Sequence, residues 1–313
     1  MEEALLQVRQ LKKYYPWKKK KVKAVDGVEF DINKGELVSI VGESGCGKST
    51  LARCIIRLEN ATKGQVFFDG DEITFLGRRE MRPVYQKMQM VFQNPYAAFN
   101  PRQPIGKALR EVGRFYKMSP QEIDSRIETL LSYINISEEL LSRYSRELSG
   151  GQLQRLAIAR ALMIHPKLLI ADEAVSALDV SVQAQILNIL LDIKEKENMS
   201  VLFISHDLAV VEHISDQVLV MYLGKVVESG PKESIFRGPA HPYTKALLAS
   251  KPREVPWEKS KPVPLKGELP NALELPRGCR FGPRCPNYQE GVCDKSPELT
   301  DLGDGHKVAC HFI

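Results

Sequence analysis

The sequence predicts an α/β fold: a mainly parallel sheet with helices on its faces, an antiparallel β patch, an inserted helical subdomain and a small Cys-rich C-terminal appendage. Three observations predict it. Short apolar, β-branched runs alternate with longer amphipathic segments, the pattern of strands joined by crossover helices. A glycine-rich turn links the first buried run to a helix. Past residue 250 the chain turns proline-rich and then cysteine-rich.

The runs at 37–42, 88–92, 168–172, 201–205 and 217–222 read as buried strands, and those at 51–58, 151–163, 182–195 and 208–213 as the helices between them. Segments 5–11, 22–32 and 65–69 read as the antiparallel patch. Residues 104–147 hold Pro104, Pro120 and several helical runs, which suggests a helical subdomain inserted between two strands. Pro252, Pro256, Pro262, Pro264, Pro270 and Pro276 mark an extended linker. The expected division is one large α/β domain over 1–250, with its helical subdomain at about 100–150, and a linker plus four-Cys domain over 251–313.

Composition narrows the class. Apolar residues make up 43% and charged residues 27%, as in an ordinary globular protein. No apolar run approaches the roughly 18–20 residues that span a bilayer. The start, Met1-Glu2-Glu3, lacks the basic region of a signal peptide. These features lead to the expectation of a cytosolic chain with reduced thiols. The net charge of +5 does not argue for nucleic acid. The basic run at 18–23 reads as a solvated loop, with acidic lipid contact as the alternative.

Residues Gly42, Glu43, Ser44, Gly45, Cys46, Gly47, Lys48, Ser49 and Thr50 fit the pattern G-x-x-x-x-G-K-[ST] between a strand and a helix. Glycines let backbone N–H groups curl around phosphate oxygens, and the helix start adds partial positive charge. Lys48 is expected on the β- and γ-phosphates of ATP, and Ser49 on Mg²⁺. Downstream, an apolar strand ends in Asp172 and Glu173. Asp172 can hold Mg²⁺ through water, and Glu173 can polarise the attacking water as general base.

Leu148, Ser149, Gly150, Gly151 and Gln152 open a further helix and form a second anion-binding start. Serine is an ordinary N-cap. That role leaves Gly150, Gly151 and Gln152 without a reason. With these motifs in order, the chain resembles the ATP-binding-cassette (ABC) ATPases. The resemblance implies a P-loop NTPase fold of the cassette type. It also implies that Tyr15 stacks on adenine, that Gln93 senses Mg²⁺ and the membrane subunit, and that His206 contacts the γ-phosphate. The loop Ser176-Ala177-Leu178-Asp179 would touch an opposite subunit. Two chains would pair head to tail around two ATP molecules, each ATP lying between one chain's cradle and the other chain's 149–152.

The stretch Asn94-Pro95-Tyr96-Ala97-Ala98-Phe99-Asn100-Pro101-Arg102, and Gly238-Pro239-Ala240-His241-Pro242-Tyr243-Thr244 before the cysteines, resemble the motor subunits of dipeptide and oligopeptide importers. The start Lys12-Lys13-Tyr14-Tyr15-Pro16 is similar to that of the second of their two motor chains. That implies a non-identical motor partner, two transmembrane permease subunits, an extracytoplasmic substrate-binding protein acting indirectly, and a place at the cytoplasmic face of the membrane. The same motor could serve an oligosaccharide or nickel-complex importer. A soluble, non-transport ABC ATPase and a metal-bound interaction module are the rival classes. The first lacks its usual second cassette or long coiled coil here, and the second leaves Glu173 and His206 without a use. Ala174, Phe99 and Leu153 depart from the usual proline, leucine and arginine, and Ala174 is expected to loosen the turn that holds Glu173.

Cys279, Cys285, Cys293 and Cys310 could hold a [4Fe–4S] cluster or Zn²⁺, or remain unligated. Their spacing lacks a C-x-x-C pair, and the importer resemblance is what implies the iron–sulfur cluster. Cys46 and Cys54 read as packing residues.

Overall fold

In the computed structural model, residues 4–250, apart from Ala177, and residues 270–313 are described. Most of the expected linker, 251–269, and Ala177 of the expected inter-subunit loop lie outside the described residues. Contacts within the chain divide it into two units.

The first unit is built on Phe75–Ile204 with the segment Ile32–Glu36. Its sheet strands Met88–Val91, Leu168–Asp172 and Ser200–Ile204 pair in parallel. Every residue of the latter two is buried, as expected for apolar runs covered on both faces. The helical insertion sits between the parallel neighbours Met88–Val91 and Leu168–Asp172. It comprises helices Ile105–Phe115, Pro120–Ile134 and Gly150–Leu162. Both prolines that marked it sit at helix starts, Pro104 as N-cap and Pro120 in the first turn. Ser119 and Glu122 close a capping box there, with bonds of 2.7 and 3.2 Å. Arg126 ties the insertion to its surroundings: its guanidinium donates to the Leu162 carbonyl and to both Glu197 oxygens, at 2.6 and 3.2 Å.

The second unit holds Leu6–Asp31, Leu37–Thr74 and the described part of Ser205–Ile313. An antiparallel sheet runs in the order Lys20–Ile32, Leu6–Trp17, Lys63–Phe68, Asp71–Glu72. Only Lys18 and Lys19 of the basic run form a turn; Lys20, Lys21 and Lys23 lie exposed on the edge strand. Lysines there discourage strand addition from another chain. Lys20 also pairs with Glu274 at 2.6 Å. A second set of strands begins with Leu37–Val41 parallel to Gln217–Tyr222. It continues antiparallel through Lys225–Pro231, Lys307–Val308 and Thr300–Asp301. The cysteine-bearing tail thus supplies strands to the sheet that carries the cradle. Among the described residues no helix is long and apolar enough to cross a membrane.

Candidate nucleotide-binding site

The cradle, Tyr15 and His206 belong to the second unit. Strand Leu37–Val41 runs directly into Gly42, and helix Lys48–Ile55 begins after Gly47, three residues earlier than the apolar pattern suggests. Two glycines are sterically required. At Gly42 φ is +149°, and an added Cβ would lie 2.2 Å from the Met221 carbonyl oxygen. At Gly47 φ is +109°, and a Cβ would lie 2.0 Å from the Ala24 carbonyl oxygen. Lys48 is buried, and its ammonium donates to the carbonyls of Gly42, at 2.8 Å, and Glu43, at 3.2 Å. Ser44 and Gly45 are exposed at the tip, while Ser49 and Thr50 are half-buried in the first helical turn.

Cys46 is buried, and burial pushes its thiol up, as it pushes Cys54 up to about 11. Neither is a nucleophile; both pack. Tyr15 is half-buried on strand Leu6–Trp17, with the Lys13 ammonium 4.7 Å from its ring centroid. Its neighbour Tyr14 donates its hydroxyl to Asp26. His206 is exposed, one residue past Ser205, whose N–H donates to the Ile40 carbonyl at 3.2 Å. That bond ties the His206 loop to the strand feeding the cradle.

Gln93, Asp172, Glu173 and residues 149–152 belong to the first unit. Asp172 is buried at the end of its strand. Glu173 has φ +49°, the left-handed region that a side chain disfavours. Such strain persists where the surroundings over-determine it, often at functional positions. Here the Glu173 N–H donates to the Ile204 carbonyl at 3.0 Å, and its own carbonyl accepts from the Ser176 N–H at 3.2 Å. The turn is pinned by backbone bonds, and Ala174 beside it is buried. Gln93 Nε2 donates to the Glu173 carboxylate at 3.0 Å and to Ser176 Oγ at 3.3 Å. Ser176 Oγ donates in turn to the Glu173 carbonyl at 3.0 Å. Gln93, Glu173 and Ser176 therefore form one polar cluster, in which the glutamine grips the carboxylate read as the general base.

The loop at 149–152 shows more local logic than its sequence suggests. Ser149 caps helix Gly150–Leu162 by accepting from the Gln152 N–H at 3.3 Å, and Gln152 Oε1 accepts from the Ser149 N–H at 3.0 Å. Gln152 thus has a structural reason, as the return arm of a capping box. Gly151 has one too, because a Cβ there would approach Val182 Cγ1 to 2.7 Å. The exposed Ser149 remains at the helix start, where anions are favoured. Phe99 and Leu153 are both buried, so their apolar character is used in packing.

In the tail, all four cysteines are free thiols. Burial raises the pKa of Cys279 and Cys285, against backbone hydrogen bonds that lower it, and the neighbouring sulfurs add a smaller upward push. Yet among the described residues no three His, Cys, Asp or Glu side chains are arranged to hold a metal ion. The side-chain geometry therefore does not fit the expected cluster or zinc.

The folding units, the cradle and the acid-ended strand are those of an ABC-type ATPase. Residues 25–176 match the ABC transporter family model, and residues 227–293 match the model for the C-terminal region of oligopeptide/dipeptide transporters. The chain is 46% identical over 322 residues to the oligopeptide transport ATP-binding protein AppF of Bacillus subtilis (strain 168), covering 99% of this chain and 98% of that one. It is 44% identical over 321 residues to the dipeptide transport ATP-binding protein DppF of Escherichia coli (strain K12), covering 100% and 96%. The dimeric post-hydrolysis structure of the ATP-binding cassette MJ0796 with ADP and Pi superposes with a TM-score of 0.67 at 28% identity, covering 72% of this chain and 98% of that one. The chain belongs to the ABC transporter ATP-binding proteins. Within them, it belongs with the oligopeptide/dipeptide branch.

Proposed function

We propose that this chain is the ATP-hydrolysing motor subunit of a membrane importer for di- or oligopeptides, working at the cytoplasmic face of the membrane. The observation that carries this reading is the likeness, over nearly the whole chain and including the C-terminal region, to peptide-transport ATP-binding proteins. In this reading residues 42–50 hold the ATP phosphates, Tyr15 the adenine and His206 the γ-phosphate. Ser49, Gln93 and Asp172 offer the hard oxygen donors that Mg²⁺ takes. Glu173 orients and deprotonates the attacking water, and its grip by Gln93 gives a route by which the membrane subunit reaches the base. Ser149, Gly150, Gly151 and Gln152 complete the site of the partner motor in a head-to-tail pair. ATP closes the pair, because its γ-phosphate is the element both chains bind, and hydrolysis releases it.

The proposed assembly has a second, non-identical motor chain, two permease subunits and an external binding protein. Reconstitution of that assembly in vesicles tests the function. ATP-dependent uptake of a labelled dipeptide, lost on Lys48→Ala, is the expected result. Uptake of an oligosaccharide or nickel complex, with none of peptide, would reassign the cargo.

A [4Fe–4S] cluster or zinc on Cys279, Cys285, Cys293 and Cys310 is the finer part of the proposal. The match of residues 227–293 to the C-terminal region of oligopeptide/dipeptide transporters supports it, and the side-chain geometry stands against it. Iron and zinc quantification after anaerobic purification decides the matter.

A further inference from the structure

The tail grips the cradle's own unit at two places. Phe281 is buried against Tyr222 and Tyr243, with ring centroids 5.4 and 5.5 Å away. On one side of this wedge, Arg284 donates both terminal nitrogens to the Glu43 carboxylate, at 2.7 and 3.0 Å. Glu43 is the second residue of the cradle, and its N–H donates to the Tyr243 hydroxyl at 2.9 Å. With Lys48 on its carbonyl, Glu43 is held at side chain, N–H and C=O. On the other side, Arg280 donates to the Leu223 carbonyl and to Asp26. Asp26 accepts the Tyr14 hydroxyl, and Tyr14 precedes Tyr15.

Both guanidinium groups are buried, with side-chain exposures of 8% for Arg280 and 5% for Arg284. A buried ion pair returns little net stability, because desolvation offsets the attraction; what a bidentate pair supplies is a fixed position. The two positions fixed here are one cradle residue and the strand segment beside Tyr15. We propose that Arg280 and Arg284 are positioning residues for the nucleotide: Arg284 sets the phosphate cradle through Glu43, and Arg280 sets the adenine side through Asp26 and Tyr14. The proposal rests on the reading of residues 42–50 as the ATP cradle.

Equilibrium binding on the full chain, with a fluorescent ATP analogue and Mg²⁺, separates the two roles when tripolyphosphate, which has no base, is used as competitor. Arg284→Ala should weaken ATP and tripolyphosphate alike, by about 5–20-fold, and Arg284→Lys should recover part of the loss. Arg280→Ala should weaken ATP by a similar factor but leave tripolyphosphate within twofold. The double variant Glu43→Ala with Arg284→Ala should be no weaker than the worse single one. Unchanged ATP affinity in Arg284→Ala overturns the inference. So does an equal loss of ATP and tripolyphosphate in both arginine variants, which is the mark of general loosening.

If Arg284→Ala does not fold, Glu43→Gln removes the same ion pair from the cradle side and should show the same parallel loss; unchanged affinities there overturn the inference equally. Lys48→Ala is the control for the underlying reading. If it keeps full ATP affinity, the cradle assignment itself fails. If it abolishes binding while the arginine variants match the parent, only the positioning roles fail.

Discussion

Glu173 is the residue on which the proposed chemistry depends most, and its backbone and side chain are both constrained. The left-handed φ of +49° aims the carboxylate, and Gln93 holds it at 3.0 Å. Glu173→Gln keeps the size and the turn but removes the proposed base. Turnover should fall about 100- to 10,000-fold while ATP affinity stays within twofold, as single-turnover and binding measurements would show. Unchanged turnover would place the base elsewhere. Gly47 is the steric counterpart. Gly47→Ala would drive a methyl to 2.0 Å from the Ala24 carbonyl oxygen at a φ that alanine disfavours. The cradle must open to accept it, so ATP binding should be lost at micromolar nucleotide in a titration where the parent saturates.

Secondary elements reveal where the sequence is legible. The strands 168–172 and 217–222 appear at their expected bounds, because a strand buried on both faces must be an unbroken apolar run. The helix after the cradle was less legible, since its first turn is polar and its start is set by a glycine's φ rather than by an apolar pattern. The Ser-x-x-Gln spacing at 149–152 is itself a capping-box signal, and a reading of Ser149 as a lone N-cap passes over Gln152's local role. The Gln93–Glu173 bond leaves no trace in local sequence, because the partners lie 80 residues apart.

Helix Pro120–Ile134 depends on such a distant bond. Arg126 and Glu197 are nearly buried, with side-chain exposures of 6% and 11%. Burial lifts the Glu197 carboxyl, but hydrogen bonds from Arg126 and His165 outweigh this and hold it below its usual range. Arg126→Ala leaves the Glu197 carboxylate and the Leu162 carbonyl with His165 as their remaining partner, and should cost about 1–3 kcal/mol in chemical denaturation. A loss under 1 kcal/mol would show the pair to be dispensable.

At the scale of the whole molecule, pH should act through His241. This imidazole is 1% exposed and accepts the Tyr243 N–H at 3.0 Å, which requires an unprotonated Nδ1. Burial, and then the Lys245 charge, lower its pKa to about 4 from 6.5. Between those values the unfolded chain binds a proton that the folded chain does not. Stability should therefore fall as pH drops from about 6.5 to about 4, by roughly 3 kcal/mol in all. His241→Asn retains an acceptor and removes the titration. Melting temperatures of the two proteins across this range should diverge, with the steeper decline in the parent; parallel curves would exclude His241 as the cause.

The tail's attachment also sets an order in time. Arg284 lies 241 residues beyond Glu43, and Arg280 lies 254 beyond Asp26. When residues 1–250 have been synthesised, neither arginine has yet been made. Domains begin to fold as they emerge during synthesis, but contacts this distant must wait until the tail has been made. The first nucleotide-binding element to be synthesised is among the last to receive its braces. A chain stopped before residue 280 would carry residues 42–50, 149–152, 172–173 and 206 but leave Glu43 without its arginine.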